Sequence, residues 1–232
     1  NEQLYNKLIN MILQQTIEQV IQEWHDRIST DETGIVREKT IPLDSIASHA
    51  TVISGIRRCG KSTLLAQLYR QLSEPALYIN FEHPLLMDFA TNDYARLDNV
   101  IAKYNAQWLL FDEIQSLPNW EVYVRQKLDN HHKIVITGSN ASLLSRELGT
   151  HLTGRHIQME LFPFSYIEFL KLKFQTASYE SFHEYLFAGG FPEYLKTGDI
   201  QQLSTLFQDI LYRDIIVRYS IKEVSSLQRL AN

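Results

Sequence analysis

The spacing of apolar residues changes near residue 50. Between residues 4 and 28, apolar side chains recur at intervals of three and four, which is the period of an amphipathic helix. Residues 29–34 are polar and form a link without a regular pattern. After residue 50, short apolar runs rich in β-branched residues alternate with stretches of helical period. This alternation predicts β-α-β units, in which a helix connects parallel strands.

Five strands and four intervening helices are predicted in the central part of the chain. The strands are expected at 51–54, 76–81, 107–111, 133–137 and 155–160. The helices between them are expected at 61–72, 93–105, 120–130 and 143–152. Beyond residue 163 only helical stretches follow, at 165–174, 179–188, 192–196 and 200–220. The sequence therefore predicts an N-terminal helix and linker (1–34), an α/β core (35–162) and a helical domain (163–232).

The turn after the first strand matches a phosphate-binding pattern, Gly-x-x-x-x-Gly-Lys-Ser, at residues 55–62. Its glycines let backbone N–H groups turn inward around phosphates. Lys61 begins the next helix and reaches the β- and γ-phosphates, while the Ser62 hydroxyl binds Mg²⁺. The predicted nucleotide contacts are Gly55, Ile56, Arg57, Arg58, Cys59, Gly60, Lys61, Ser62 and Thr63.

Two acids follow the third strand directly. Asp112 and Glu113 end the apolar run 108–111, an arrangement known as the Walker B motif. Asp112 is predicted to join Ser62 around Mg²⁺, and Glu113 is predicted to act as general base on the attacking water. The alternative is a strand-end turn with two solvated acids.

The fourth strand ends in the polar residues Ser139 and Asn140. Ligands of parallel sheets bind at the carboxyl ends of strands, so either side chain is a candidate for orienting the water beside the γ-phosphate. Either residue is equally suited to cap the helix that follows. Both roles stay open at this point.

Several segments in order resemble a large prokaryotic group of AAA+ ATPases. The matching segments are 53–65, 78–82, 110–115, 137–141, 152–155, 161–165 and 189–194, and the resemblance spans about residues 35–230. It implies a P-loop NTPase fold: a five-stranded parallel sheet with flanking helices, followed by a small helical lid. It also implies ATP rather than GTP, and the chain lacks the Asn-Lys-x-Asp run that reads guanine.

The resemblance further implies a homo-oligomer. In AAA+ folds an arginine finger lies at the end of the helix before the fifth strand, and Arg155 occupies that place. Its guanidinium would reach the γ-phosphate bound by a neighbouring subunit. One alternative is that Arg155 anchors the strand to surface acids, and Arg146 is a weaker candidate for the finger.

Composition and the family resemblance together indicate the cellular location and the partners to expect. The net charge is −5 and there is one cysteine. No apolar run approaches the ~18 residues of a membrane span. We therefore expect a cytoplasmic protein without a membrane partner. Family members usually continue into a winged helix and a nuclease-like domain, so the chain is expected to lead into the winged helix, with DNA as a partner of the region that follows.

These residues predict a Mg²⁺-dependent ATPase whose hydrolysis drives conformational change. The alternative is a slowly hydrolysing, nucleotide-dependent switch that regulates a nucleic-acid-linked C-terminal effector. A kinase with a small acceptor fits less well, because the acid pair and the helical lid suit water as the acceptor.

Two details of the P-loop stay open. Arg57 and Arg58 are expected to face solvent, with a partner subunit or acids of the lid as alternatives. Cys59 is expected to be simply a small side chain that fits beside the phosphate-binding turn. The alternative is that the helix N-terminus lowers its thiol pKa, so that oxidation of the thiol inhibits the protein.

Overall fold

Five parallel strands form one sheet, in agreement with the predicted alternation of strands and helices. The computed structural model describes residues 12–30, 34–41, 48–139 and 152–217, together with single residues 221, 223, 224, 227 and 229. The strands are β1 (Ala50–Gly55), β2 (Ala76–Asn80), β3 (Trp108–Asp112), β4 (Lys133–Ser139) and β5 (His156–Glu160).

Helices cover both faces of the sheet and then form the lid. Those of the core are α1 (Gln14–Thr30), α2 (Lys61–Gln71), α3 (Tyr94–Lys103) and α4 (Trp120–Asp129), with short 3₁₀ turns at Pro84–Leu86, Thr91–Asp93 and Ile114–Ser116. Those of the lid are α5 (Tyr166–Lys173), α6 (Tyr179–Ala188), α7 (Pro192–Thr197) and α8 (Ile200–Asp209), which continues as a π-helix over Ile210–Val217. The helix predicted at 143–152 lies almost wholly outside the described residues. None of the described helices is both long and apolar enough to cross a bilayer.

Strand order brings the chemically important strand ends together. The order across the sheet is β2-β3-β4-β1-β5, so β4 lies between the strand that precedes the P-loop and the strand that precedes the two acids. Gly55 is opposite Ser139, and Asn80 is opposite Asp112. Because all strands run in the same direction, their carboxyl ends meet at one edge of the sheet, where ligands of such sheets bind.

The N-terminal helix is part of the same hydrophobic core as the sheet. Ile17, Val20 and Ile21 of α1 are buried in the apolar cluster that contains Val52 of β1. Burial of such side chains contributes about 1.5–3 kcal/mol each. The helix end is also tied to α2, because Arg70 Nε donates a 2.6 Å hydrogen bond to the carbonyl of the last buried residue of α1.

The lid has a small apolar core of its own. Phe164, Phe169 and Leu195 are buried together, with Ile35 from the segment before β1 packed against them. The turn at Gly190 closes on this core, because its carbonyl accepts a 2.7 Å hydrogen bond from the Phe164 N–H. A Cβ at Gly190 would lie 2.3 Å from the Phe164 carbonyl oxygen, so this turn requires glycine.

Candidate functional site

The phosphate-binding pattern forms the turn between β1 and α2. Gly60, just before α2, has a φ of 100°, a left-handed conformation that glycine adopts without strain. A Cβ on Gly55 would lie 2.3 Å from the Leu161 carbonyl oxygen, so there is room only for glycine. Lys61 is buried, and its Nζ donates to the carbonyls of Gly55 (3.0 Å) and Ile56 (3.2 Å). The ammonium group is thus held against the loop at the carboxyl edge of the sheet.

The first turn of α2 points toward the same edge. The N–H groups of a helix's first turn have no intrahelical acceptor, and the helix dipole adds partial positive charge there. Ser62 is half-buried and Thr63 is exposed at this turn, and Ile56 and Arg57 are half-buried in the preceding loop. The turn therefore offers backbone donors and one lysine to an anion.

Asp112 is held by three side chains from the two neighbouring strands. It is fully buried, and its Oδ2 accepts hydrogen bonds from the Tyr78 hydroxyl (2.8 Å) and the Asn80 amide (2.9 Å). The Thr137 hydroxyl donates to its Oδ1. Burial, followed by the charge of Asp112, raises the pKa of Tyr78 well above its ordinary value, so the phenol stays protonated and donates. No local pattern in the sequence marks Tyr78, Asn80 or Thr137 as partners of Asp112.

Glu113 is oriented by the same threonine. Its backbone is left-handed, with φ 52°, and its N–H donates to the Thr137 hydroxyl at 3.1 Å. Thr137 therefore links the backbone of Glu113 to the carboxylate of Asp112. Burial raises the pKa of Glu113, although a hydrogen bond from the Gln115 amide and the charge of Lys61 act in the opposite direction. A buried carboxylate with a raised pKa is a suitable general base.

Ser62 and Asp112 are the candidate Mg²⁺ ligands. A carboxylate offers about four lone-pair positions, and three on Asp112 are used by protein donors, which leaves one. Mg²⁺ usually takes only one or two protein groups and completes its shell with waters and substrate phosphates. This donor set therefore fits Mg²⁺ bound jointly with a nucleotide. Within the described ranges, no group of three His, Cys, Asp or Glu side chains forms a separate metal site.

The predicted water-orienting residues lie at or beyond the end of β4. The backbone of Ser139 pairs with Gly55, which places it at the carboxyl edge of the sheet. The Ser139 side chain and the whole of Asn140 lie outside the described residues. Whether either residue orients water or caps a helix stays a prediction.

Arg155 lies at the opposite edge of the sheet from the P-loop of its own chain. Its carbonyl accepts from the N–H of Ala50, the first residue of β1, whereas the P-loop follows the last. Its guanidinium pairs with Asp129 at the end of α4, and that hydrogen bond lowers the pKa of Asp129. Within one chain the structure therefore shows the anchoring contact, and a contact in trans stays a proposal.

The structure favours the alternative of a lid acid as the partner of Arg58 and the expected small, well-fitting residue for Cys59. Arg58 does not simply face solvent: although half-exposed, it forms a 2.8 Å ion pair with Glu193 of α7 in the lid. Cys59 is fully buried, and this burial raises the pKa of its thiol despite the nearby cations. Because desolvation outweighs these cations, the alternative of an oxidation-sensitive thiolate is not supported.

The phosphate-binding turn and strand β3, which ends in Asp112, lie within a region that matches a known protein family. A protein-family model described as "AAA domain" matches residues 47–170, just over half of the chain. The chain belongs to this AAA domain family. The matched part begins before β1 and ends within α5, so it contains the P-loop, Asp112 and Glu113. Together with the parallel sheet, it identifies the AAA domain as an ATPase-like, nucleotide-binding module and confirms the predicted fold class.

Two relatives of this AAA domain protein are similar to it over more residues than the family model covers. An uncharacterized protein of Methanocaldococcus jannaschii is 33% identical over 224 residues, which cover 89% of this chain and 51% of the relative. An uncharacterized protein of Haemophilus influenzae is 35% identical over 196 residues, which cover 76% of this chain and 48% of the relative. The chain thus spans about half the length of these curated relatives.

Two solved structures align with the chain at low sequence identity. AMPPCP-bound DnaA from Aquifex aeolicus aligns with a TM-score of 0.45 and 16% identity, over 97% of this chain and 70% of that chain. PCH-2 from C. elegans aligns with a TM-score of 0.38 and 16% identity, over 75% of this chain and 47% of that chain. Neither alignment bears on function.

Proposed function

We propose that this AAA domain binds ATP with Mg²⁺ and hydrolyses it to drive conformational change. The observation that carries the proposal is the linkage of Asp112 and Glu113 through Thr137, at the sheet edge where Lys61 is held. This arrangement supports the proposal, because Asp112 and Glu113 are adjacent at the end of β3, at the same sheet edge as the turn that we propose to bind phosphates.

Each residue has a separate task in this proposal. The amides of residues 55–62 and the ammonium of Lys61 hold the phosphates, and Ser62 and Asp112 hold Mg²⁺. Held there, Mg²⁺ would supply positive charge to offset the negative charge that develops on the phosphate in the transition state. Glu113 Oε accepts a proton from the attacking water as the water oxygen bonds to the γ-phosphorus, and the bond from that phosphorus to the bridging oxygen of ADP breaks. Gln115 fixes the direction of that carboxyl group by its hydrogen bond.

The direct test is binding of MgATP by isothermal titration calorimetry. We expect Lys61→Ala to weaken MgATP binding by about 10–100-fold, because charge-assisted hydrogen bonds to phosphate are lost. Lys103→Ala is the matched control, since that lysine is exposed and pairs with Glu18 far from the loop. Failure of the wild type to bind MgATP, or equal binding by the Lys61 variant, would refute the proposed nucleotide site.

The acid limb of the pH–turnover profile is expected above the ordinary pKa of a glutamate. The base form of Glu113 is the deprotonated one, so turnover should rise as the pH rises through its raised pKa. Gln115→Leu removes a hydrogen bond that lowers this pKa, so it should move the limb to higher pH. The measurement is steady-state turnover between pH 4 and 9 for the wild type and Gln115→Leu. An acid limb that moves to lower pH in the variant, or does not move, contradicts the assignment.

A nucleotide-dependent switch is the second candidate function. The ion pair between Arg58 of the P-loop and Glu193 of the lid favours it, because nucleotide at the loop would act directly on a lid contact. Tight MgATP binding with negligible turnover at all protein concentrations would support the switch. The homo-oligomer, the DNA partner and the cytoplasmic location stay predictions.

A further inference from the structure

A buried arginine outside all the sequence motifs joins three parts of the molecule. Arg37 lies in the segment before β1, and its guanidinium makes three hydrogen bonds. Nη1 donates to the Cys59 carbonyl in the P-loop at 2.7 Å, and Nη2 donates to the Phe162 carbonyl beyond β5 at 2.7 Å. Nε donates to Glu168 Oε1 of lid helix α5 at 2.8 Å. One planar group thus contacts the P-loop, the segment that follows β5, and the lid.

The hydrogen bond from Arg37 to the Cys59 carbonyl affects the direction in which the Gly60 N–H of the P-loop points. The Cys59 carbonyl and the Gly60 N–H belong to one peptide unit, and the described chain contains no cis peptide. In a planar trans peptide these two groups point in opposite directions. Holding the carbonyl on the Arg37 side therefore turns the Gly60 N–H away from it. The fit is close, because a Cβ on Gly60 would lie 3.1 Å from Arg37 Nη1.

The lid side of the contact is equally well defined. Glu168 is buried, and it accepts hydrogen bonds from the backbone N–H groups of Glu38 (2.8 Å) and Ser165 (2.9 Å) as well as from Arg37. Burial alone would raise the pKa of Glu168, but these hydrogen bonds outweigh it and the pKa is lowered. The Phe164 ring lies 5.1 Å from the guanidinium carbon and helps exclude water. Breaking such a buried pair costs more than breaking an exposed one, because it leaves an unpaired charge away from water.

We propose that Arg37 is a positioning residue that couples docking of the lid to the shape of the phosphate-binding loop. Docked α5 presents Glu168, which orients the guanidinium, and the guanidinium in turn holds the Cys59 carbonyl. The inference rests on the proposed binding of ATP at that loop. Because coupling between two sites is reciprocal, nucleotide bound at the loop should also stabilise the docked lid.

The test compares a variant that removes the buried pair with one that removes a partly exposed ion pair far from the loop. Arg37→Met alone would leave a buried carboxylate unpaired, so it is combined with Glu168→Gln. We expect this double variant to bind MgATP about 10–100-fold more weakly. Glu74→Gln, which breaks the partly exposed ion pair with Lys133 at the other edge of the sheet, should stay within about twofold because exposed pairs contribute little. Arg37→Lys retains a charge for Glu168 but cannot reach all three acceptors, so it should lose affinity to an intermediate degree.

Hydrogen exchange of helix α5 supplies a readout that a purely structural role would not change. MgATP should slow exchange of residues 166–173 in the wild type and have little effect on them in the double variant. Should the double variant fail to fold, Arg37→Lys allows the same comparison. Wild-type binding of MgATP together with equal binding or equal protection in the Arg37 variants would overturn this inference alone. Absence of MgATP binding by the wild type would overturn the proposed function and this inference with it.

Discussion

Glu113→Gln is expected to lower steady-state ATP turnover by about 10²–10⁴-fold while leaving MgATP affinity within about threefold of the wild type. The substitution preserves the shape of the side chain and its contact with Gln115 but removes the group that accepts the proton from water. Asp112 and the P-loop, which are proposed to bind the metal and the phosphates, are left intact. Loss of turnover with retained binding is therefore the result that defines a general base.

The measurement is phosphate release under saturating MgATP, with binding determined separately by calorimetry. Glu74→Gln is the matched control, because Glu74 pairs with Lys133 at the start of β4, at the other edge of the sheet. It should turn over ATP at the wild-type rate. Equal turnover by wild type and Glu113→Gln would contradict the assigned base, and equal losses in both glutamine variants would indicate a general loss of structure.

The parts of the fold and site that could be predicted are those that a local pattern encodes. The P-loop follows a strand rich in β-branched residues, and the acids Asp112 and Glu113 end an apolar strand. Each combination of motif and strand is contiguous in the sequence, so it can be recognised without knowing any distant contact. The alternation of five strands with helices predicts the parallel sheet for the same reason.

The contacts that were missed depend on register and on distance along the chain. Tyr78 and Thr137 reach Asp112 only because β2 and β4 flank β3 in the sheet, and this order is not written in any local pattern. Arg37 and Glu168 are separated by 131 residues, so a single sequence gives no sign that they pair. The raised pKa of Cys59 could not be predicted either, because its burial depends on the packing of the whole loop.

Arg155→Ala is expected to lower turnover of the assembled protein by about 10³–10⁵-fold, because an arginine that reaches the γ-phosphate stabilises transition-state charge. The position of Arg155 limits how this can occur. It lies at the sheet edge remote from its own P-loop, so a catalytic contact requires a second subunit whose P-loop faces this edge. Turnover per subunit should accordingly rise with protein concentration.

Mixing two inactive variants separates a contact in trans from the anchoring contact with Asp129. In an assembly of Arg155→Ala and Glu113→Gln subunits, some sites combine an intact Glu113 with an intact Arg155 from the neighbour. Random mixing in equal amounts should restore about a quarter of wild-type turnover, because one of the four interface combinations is complete. Asp129→Asn breaks the exposed ion pair and should leave turnover unchanged if Arg155 acts on nucleotide. If the mixture stays inactive and Asp129→Asn reproduces the loss, Arg155 serves only to join α4 to the start of β5.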